Sequence, residues 1–145
     1  MNDKIDPVLA MIANYKQAIL NKDIEAFCAI YDTDIHIFDM WGKWSMRGID
    51  AWREMASGWF TSLGSEKVVV EANNVESVVT ADMAIGHAIL SYTAFSAKGE
   101  KLRSLDNRIT VALKRTGDSW KVVHEHTSAP IDHGSLKGNL QFSNE

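Results

Sequence analysis

Trp120-Lys121-Val122-Val123-His124-Glu125-His126-Thr127-Ser128-Ala129-Pro130 is the stretch whose reading decides the fold. Alternation puts Trp120, Val122, His124 and His126 on one face of a half-buried strand, and Lys121, Val123, Glu125 and Thr127 on the other. Thr116-Gly117-Asp118-Ser119 just before it is a turn signal, so the strand is expected to pair with the preceding apolar run as a hairpin. Pro130 ends it, because proline cannot donate a ladder hydrogen bond. Two imidazoles then stand side by side, facing either a pocket or an interface.

Upstream, the chain is rich in strands. Lys67 to Val79 is β-rich with an interruption at Asn73-Asn74 that reads as a bulge, Ala81-Asp82 turns, Met83 to Ser96 returns, and Lys98-Gly99-Glu100 turns again. Leu105 to Lys114 is the next strand, giving an antiparallel meander. The first half is helical. Asp6-Pro7 is an N-cap with proline at the first helical position, and Val8, Met11, Ile12, Tyr15 and Ile19 recur at helical spacing to about Leu20. A second helix is expected from Ile24 to about Tyr31, followed by a turn at Asp32-Thr33-Asp34 and a short strand, Ile35 to Asp39. A loop from Met40 to Arg47 carries Trp41 and Trp44. A third helix, Ile49 to Leu63, buries Trp52, Met55, Ala56, Trp59, Phe60 and Leu63 and stops at Gly64-Ser65.

Helices followed by a long antiparallel sheet mean an α+β fold, here a cone in which a curved sheet wraps an amphipathic helix around a cavity. The 145 residues read as a single domain, with a core over about 6–132 and a weakly patterned tail, 133–145, that lies across a partner or frays. A net charge of −4 gives no basic footprint for nucleic acid or an anionic membrane. No apolar run reaches the length of a membrane span, and Met1-Asn2-Asp3-Lys4 does not fit a signal peptide, so the expected compartment is the cytoplasm. Cys28 is the only cysteine, which rules out an internal disulfide; on a helix stripe it reads as a core thiol.

Certain residues suggest chemistry. Asp39, beside aromatic residues and on the face of Ile35 and Ile37, is a candidate base, since burial would raise its pKa; otherwise it caps a loop. Arg108 either grips a ligand oxygen or pairs with Asp106 or Glu125. His87, His124 and His126 supply enough imidazoles for a metal site, but paired strand histidines usually hydrogen-bond to neighbours, and no metal is expected. Glu125 and Asp132 are expected to face solvent or a partner chain. Trp41, Trp44 and Trp59 are candidate ligand contacts: Trp41 and Trp44 at a mouth, Trp59 either there or, with Trp52, packed beneath the sheet. A sheet of this length has a second face to cover, so a homodimer is expected. No phosphate loop or dinucleotide fingerprint is present, and no cofactor is expected.

The ending Arg108-Ile109-Thr110, Lys114-Arg115, Trp120 and His124-Glu125-His126-Thr127-Ser128-Ala129-Pro130 resembles the closing motif of SnoaL-like proteins. Phe38-Asp39, Gly48-Ile49-Asp50-Ala51-Trp52 and Trp59-Phe60 also look like that group, over about residues 6 to 132. The resemblance implies the cystatin-like, nuclear transport factor two-like cone. A shorter form of the ending is similar to the association domain of calcium/calmodulin-dependent protein kinase II, an oligomerisation module. Ketosteroid isomerase belongs to the same superfamily. By ungapped alignment Asp39 matches its general-base aspartate, and Tyr15 its oxyanion-hole tyrosine, at the same separation. Asp106 loosely matches its protonated aspartic acid, but Arg108 on the same face would keep Asp106 ionised, which argues against true steroid isomerisation. The expected function is therefore proton transfer on, or binding of, a small apolar organic carbonyl compound. Asp39 would be the base, with Tyr15, Arg108 and His124 or His126 stabilising an oxyanion and His87 and Asp106 lining the pocket. The alternative is a non-catalytic ligand-binding or assembly module.

Overall fold

A computed structural model describes residues 5–143, so the reading of the first four residues lies outside the described residues. Helix α1, Pro7–Leu20, begins where Asp6 Oδ1 accepts the Val8 N–H at 2.8 Å, with Pro7 supplying the preset first turn. Val8, Met11, Tyr15, Ala18 and Ile19 form its buried stripe. A Cβ on Gly86 would lie 2.3 Å from Val8 Cγ1, so glycine is what lets α1 lie this close to the sheet.

Helix α2, Ile24–Cys28, is capped by Asp23 and is shorter than expected. The chain turns extended at once, and strand β1 spans Tyr31–Phe38. Asp32-Thr33-Asp34 is thus strand rather than turn. These polar residues fall where the pairing of β1 with the last strand is interrupted, between Tyr31 and His36. Strand β2, Met46–Arg47, pairs antiparallel with β1, and Gly48, at φ 92°, opens helix α3, Ile49–Leu63. Strands β3 (Lys67–Val79), β4 (Met83–Phe95), β5 (Lys101–Thr116) and β6 (Ser119–Ser128) form the meander. The expected bulge falls at Asn73 to Glu76, with Asn74 at φ 55°.

The single sheet runs β2-β1-β6-β5-β4-β3, with β1 parallel to β6, and the three helices cover its concave side. It is a curved, unclosed sheet wrapped around helices: the α+β cone. At its centre Phe27 packs against Tyr15, Tyr31, Trp52 and Phe60 at ring distances of 5.3–6.0 Å. Replacing so central a ring by alanine would cost about 3–5 kcal/mol.

Strand β6 departs from simple alternation. Leu113 pairs with Val122 but Ala112 with His124, which leaves Val123 as an unpaired bulge residue. Val122 points inward, and beyond the bulge the inward residues are Glu125 and Thr127, while His124 and His126 point outward. A one-residue irregularity moves every following side chain to the opposite face.

The tail folds back on its own chain. The Asp106 N–H donates to the Leu140 carbonyl at 2.8 Å, and the Phe142 N–H to Asp106 Oδ2 at 2.7 Å. Asp132 is solvent-exposed as expected and accepts the Ser135 N–H. Among the described residues no helix is long and apolar enough to cross a membrane.

Candidate active site

Between the concave sheet and α1–α3 lies a cavity of about 800 Å³, mostly apolar in lining. That volume suits a small organic molecule of two or three rings. Trp41, Lys43, Glu54 and Arg103 stand at its exposed end, and Arg103 is held there by Glu66 at 2.6 Å. The buried wall is where the polar groups gather.

Asp39 follows the last residue of β1 and lines the cavity. Burial raises its pKa, while the Thr127 hydroxyl, donating to Oδ1 at 2.9 Å, and the backbone N–H groups of Met40 and Trp41 hold part of that rise back. Thr127 Oγ1 also accepts the Met40 N–H at 2.9 Å, fixing the loop that carries the carboxylate.

Glu125 is the second carboxyl, and sequence reasoning missed it. It is 1% exposed and lines the cavity, where the expectation put it in solvent or against a partner chain; the Val123 bulge is the reason. The Tyr31 hydroxyl donates to its Oε1 at 2.7 Å. Burial pushes its pKa up to about 7; the Tyr31 bond opposes the shift, and the nearby Asp39 charge adds to it. Glu125 is opposite Ile37 in the ladder, two residues before Asp39 on the adjacent strand. Strand spacing and rise then put the two carboxyl-bearing residues about 8 Å apart on one wall.

Tyr15 lines the cavity, its hydroxyl 2.8 Å from that of Tyr92. Burial raises both phenols, so both are neutral donors at physiological pH. Asn107 of β5 and Trp52 and Trp59 of α3 complete the lining used below.

Other expected members of the site lie elsewhere. Arg108, His124 and His126 are on the outer face of the sheet, so the expectation that they share a pocket with Asp39 is corrected. Arg108 is exposed and donates to Ser128 Oγ at 3.0 Å, rather than pairing with Asp106 or Glu125. His124 Nδ1 donates to the His36 carbonyl at 2.7 Å, and His126 packs edge-on to Phe38. Asp106 also faces outward, bound to the tail; the adjacent Asn107 is the inward residue, in phase with Ile109, Val111 and Leu113. His87 is exposed on β4, 3.7 Å from Glu76, and β5 separates it from His124 and His126. Its expected place in the pocket is therefore corrected too. The neighbour of His124 is instead His36, whose ring nitrogen contacts Arg47 at 3.1 Å. Trp44 is 97% exposed and lines no part of the cavity, whereas Trp41 does. None of the described residues covers Trp44. No group of three or more metal-ligating side chains converges among the described residues.

A protein of Pseudomonas putida, described as nuclear transport factor 2-like and of unknown function, superposes with a TM-score of 0.81 at 25% identity over 94% of each chain. A Xanthomonas campestris protein, provisionally described as a calcium/calmodulin-dependent protein kinase II association domain, gives 0.71 at 15% identity over 85% of each chain. One from Novosphingobium aromaticivorans, provisionally described as an aromatic ring hydroxylase, gives 0.70 at 17% over 92% of this chain and 91% of its own. Descriptions this different on one architecture show that the fold is shared and that activity has to be argued from the cavity. No curated protein matches the chain. The model of the SnoaL-like domain matches residues 8–132, and the chain belongs to the SnoaL-like family.

Proposed function

We infer that the cavity binds a small, largely apolar carbonyl compound and catalyses proton transfer on it without a cofactor, in the manner of an isomerase, dehydratase or cyclase. The observation that carries this reading is the pair of carboxyls on one wall of an apolar cavity, one supported by hydrogen bonds as an anion and the other raised toward neutrality. The Asp39 carboxylate takes a proton from the carbon beside the carbonyl. The charge that develops on the oxygen is met by the Tyr15 hydroxyl, itself paired with Tyr92, or by the proton of Glu125. Return of the proton to a neighbouring carbon is isomerisation; its loss with a β-hydroxyl as water is dehydration. Asp39→Asn keeps the side chain's shape and removes the base. Turnover of a screened enolisable ketone is expected to disappear in that variant, and unchanged turnover would refute the role of Asp39.

A second reading is favoured by one observation, the likeness to a protein described as a kinase association domain: a non-catalytic ligand-binding or assembly module. In either case the chain acts as a homodimer, and the expected compartment is the cytoplasm. The outer face of β1, β6 and β5 supports dimerisation, since Phe38 lies exposed among His36, His124 and His126 at ring distances of 4.8–5.5 Å. Sedimentation equilibrium of the wild type and of Phe38→Asp tests it: a dimer that becomes a monomer is expected.

A further inference from the structure

The pairing register lays the outer face of the sheet out in rows. Arg47, His36 and His124 lead one row on to Ala112, Ile85 and Val78, and Phe38 and His126 lead the next, which ends in His87 and Glu76. Four of the chain's five histidines, His36, His87, His124 and His126, therefore stand on this one face. His87 has Glu76 at 3.7 Å, whereas no ion pair reaches His36, His124 or His126 among the described residues. Arg47 Nη2 donates to His36 Nδ1 at 3.1 Å, a bond that exists only while Nδ1 carries no proton. His124 spends its own Nδ1 proton on the His36 carbonyl, which leaves Nε2 as the nitrogen that gains a proton. The other charges around these rings are Arg108, Lys114 and Asp106 on β5, Lys121 on β6, and Asp32 and Asp34 earlier on β1. Asp106 is already bound by the tail, and the Lys121 ammonium donates to the Ala29 carbonyl.

The face is also self-complementary. Counted from its middle, between β6 and β5, strand β1 with exposed Phe38 mirrors β4 with exposed Ile85, and β2 with Arg47 mirrors β3 with Glu76. A second copy laid face to face, about a two-fold axis along the strands, sets β1 over β4 and β2 over β3, apolar on apolar and basic on acidic. We propose that the outer face docks a second copy of this chain only while His36, His124 and His126 are uncharged, so that the dimer separates into protomers as the pH falls from 7.5 to 5.5. Neutral imidazoles packed edge-on around Phe38, at ring distances of 4.8–5.5 Å, leave water cheaply. Imidazolium rings do not, because the two-fold doubles every charge, Arg47 is the cation already in contact, and no carboxylate is in place to pair with them. Histidine is the side chain whose charge changes in this range, and the dimer binds fewer protons than two protomers do, so acid favours the protomers. This inference rests on the homodimer reading given above.

Sedimentation equilibrium at pH 7.5, 6.5 and 5.5 measures the dimer dissociation constant. An ordinary imidazole is about one-tenth neutral at pH 5.5, so a requirement for one neutral ring in each protomer weakens the dimer about 100-fold. At least that loss is expected of wild type, with far-ultraviolet circular dichroism showing folded protomers at pH 5.5. The triple variant His36→Gln, His124→Gln, His126→Gln carries no group to protonate here, and its dissociation constant should stay within about threefold over the same range. A wild-type constant that moves less than about threefold, an equal loss in the triple variant, or unfolding of wild type at pH 5.5 overturns the proposal. If the triple variant is a protomer at every pH, the three single variants decide: at least one has to flatten the dependence on pH, and a slope unchanged in all three overturns the proposal. A wild type that is already a protomer at pH 7.5 refutes the homodimer reading itself, whereas a dimer that persists at pH 5.5 refutes only its control by the histidines.

Discussion

Past Val123 both faces of strand β6 carry polar side chains and treat them in opposite ways. Inward, Glu125 and Thr127 are 1% and 5% exposed and specifically hydrogen-bonded, Glu125 to Tyr31 and Thr127 to Asp39 and the Met40 N–H. Outward, His124 and His126 share an open surface with Phe38, Thr110 and Arg108. A polar group behind the sheet is largely withdrawn from bulk water, so it is hydrogen-bonded or changes its protonation. The same group in front of the sheet is solvated and perturbs little. Chemistry is therefore expected from the less conspicuous inner pair, and surface properties from the histidines.

The largest expected contrast is in turnover. Asp39→Asn should slow proton transfer on an enolisable ketone by about 10²–10⁴-fold, and His124→Asn or Arg108→Gln should leave it within about twofold. Steady-state rates of the three variants side by side would make or break the distinction between the faces.

Next in size is the pH dependence of stability. Glu125 has an ordinary pKa of 4.5 and a folded-state value of about 7. The folded state holds this proton more tightly, so the stabilisation is complete below pH 4.5 and is lost as pH rises through about 7. Relative to Glu125→Gln, which cannot ionise, wild type should lose up to about 3 kcal/mol across that interval. Urea unfolding of both proteins at pH 4.5, 6 and 8 measures the difference; parallel curves would mean that Glu125 is solvated.

A smaller effect is expected at Thr127. Thr127→Val removes the hydroxyl donated to Asp39 while keeping the side chain's shape, at a cost of about 1 kcal/mol. Because that bond holds the Asp39 pKa down, its loss should move the acid limb of the rate profile to higher pH. Smallest of all, His126→Ala should change stability by no more than about 0.5 kcal/mol by thermal melting.

Much of the architecture was legible because local signals agreed with one another. Asp6-Pro7, Gly48 and Gly64 mark helix ends that the structure keeps, and Asp39, Tyr15, Trp41 and Trp59 all line the cavity. The misplacements trace to phase. Alternation carried through Val123 put His124 and His126 inside, yet Val122-Val123, two adjacent β-branched residues, already breaks strict alternation. On β5, counting back by twos from Leu113, Val111 and Ile109 arrives at Asn107 and not at Asp106. The chain's own periodicity therefore pointed to the residue that lines the cavity. Glu125 had no comparable signal, since its burial depends on the bulge and on a tyrosine far away in sequence. Asp32-Thr33-Asp34 has the composition of a turn, and only the interrupted β1–β6 pairing makes it strand.

The most direct measurement is a carbon-13 NMR titration of the side-chain carboxyls, with the Glu125 resonance assigned by its loss in Glu125→Gln. If the bulge at Val123 turns this residue into the cavity, its carboxyl titrates near pH 7. A midpoint near 4.5, the ordinary value of a glutamate, would place Glu125 in water and contradict the arrangement of the inner wall.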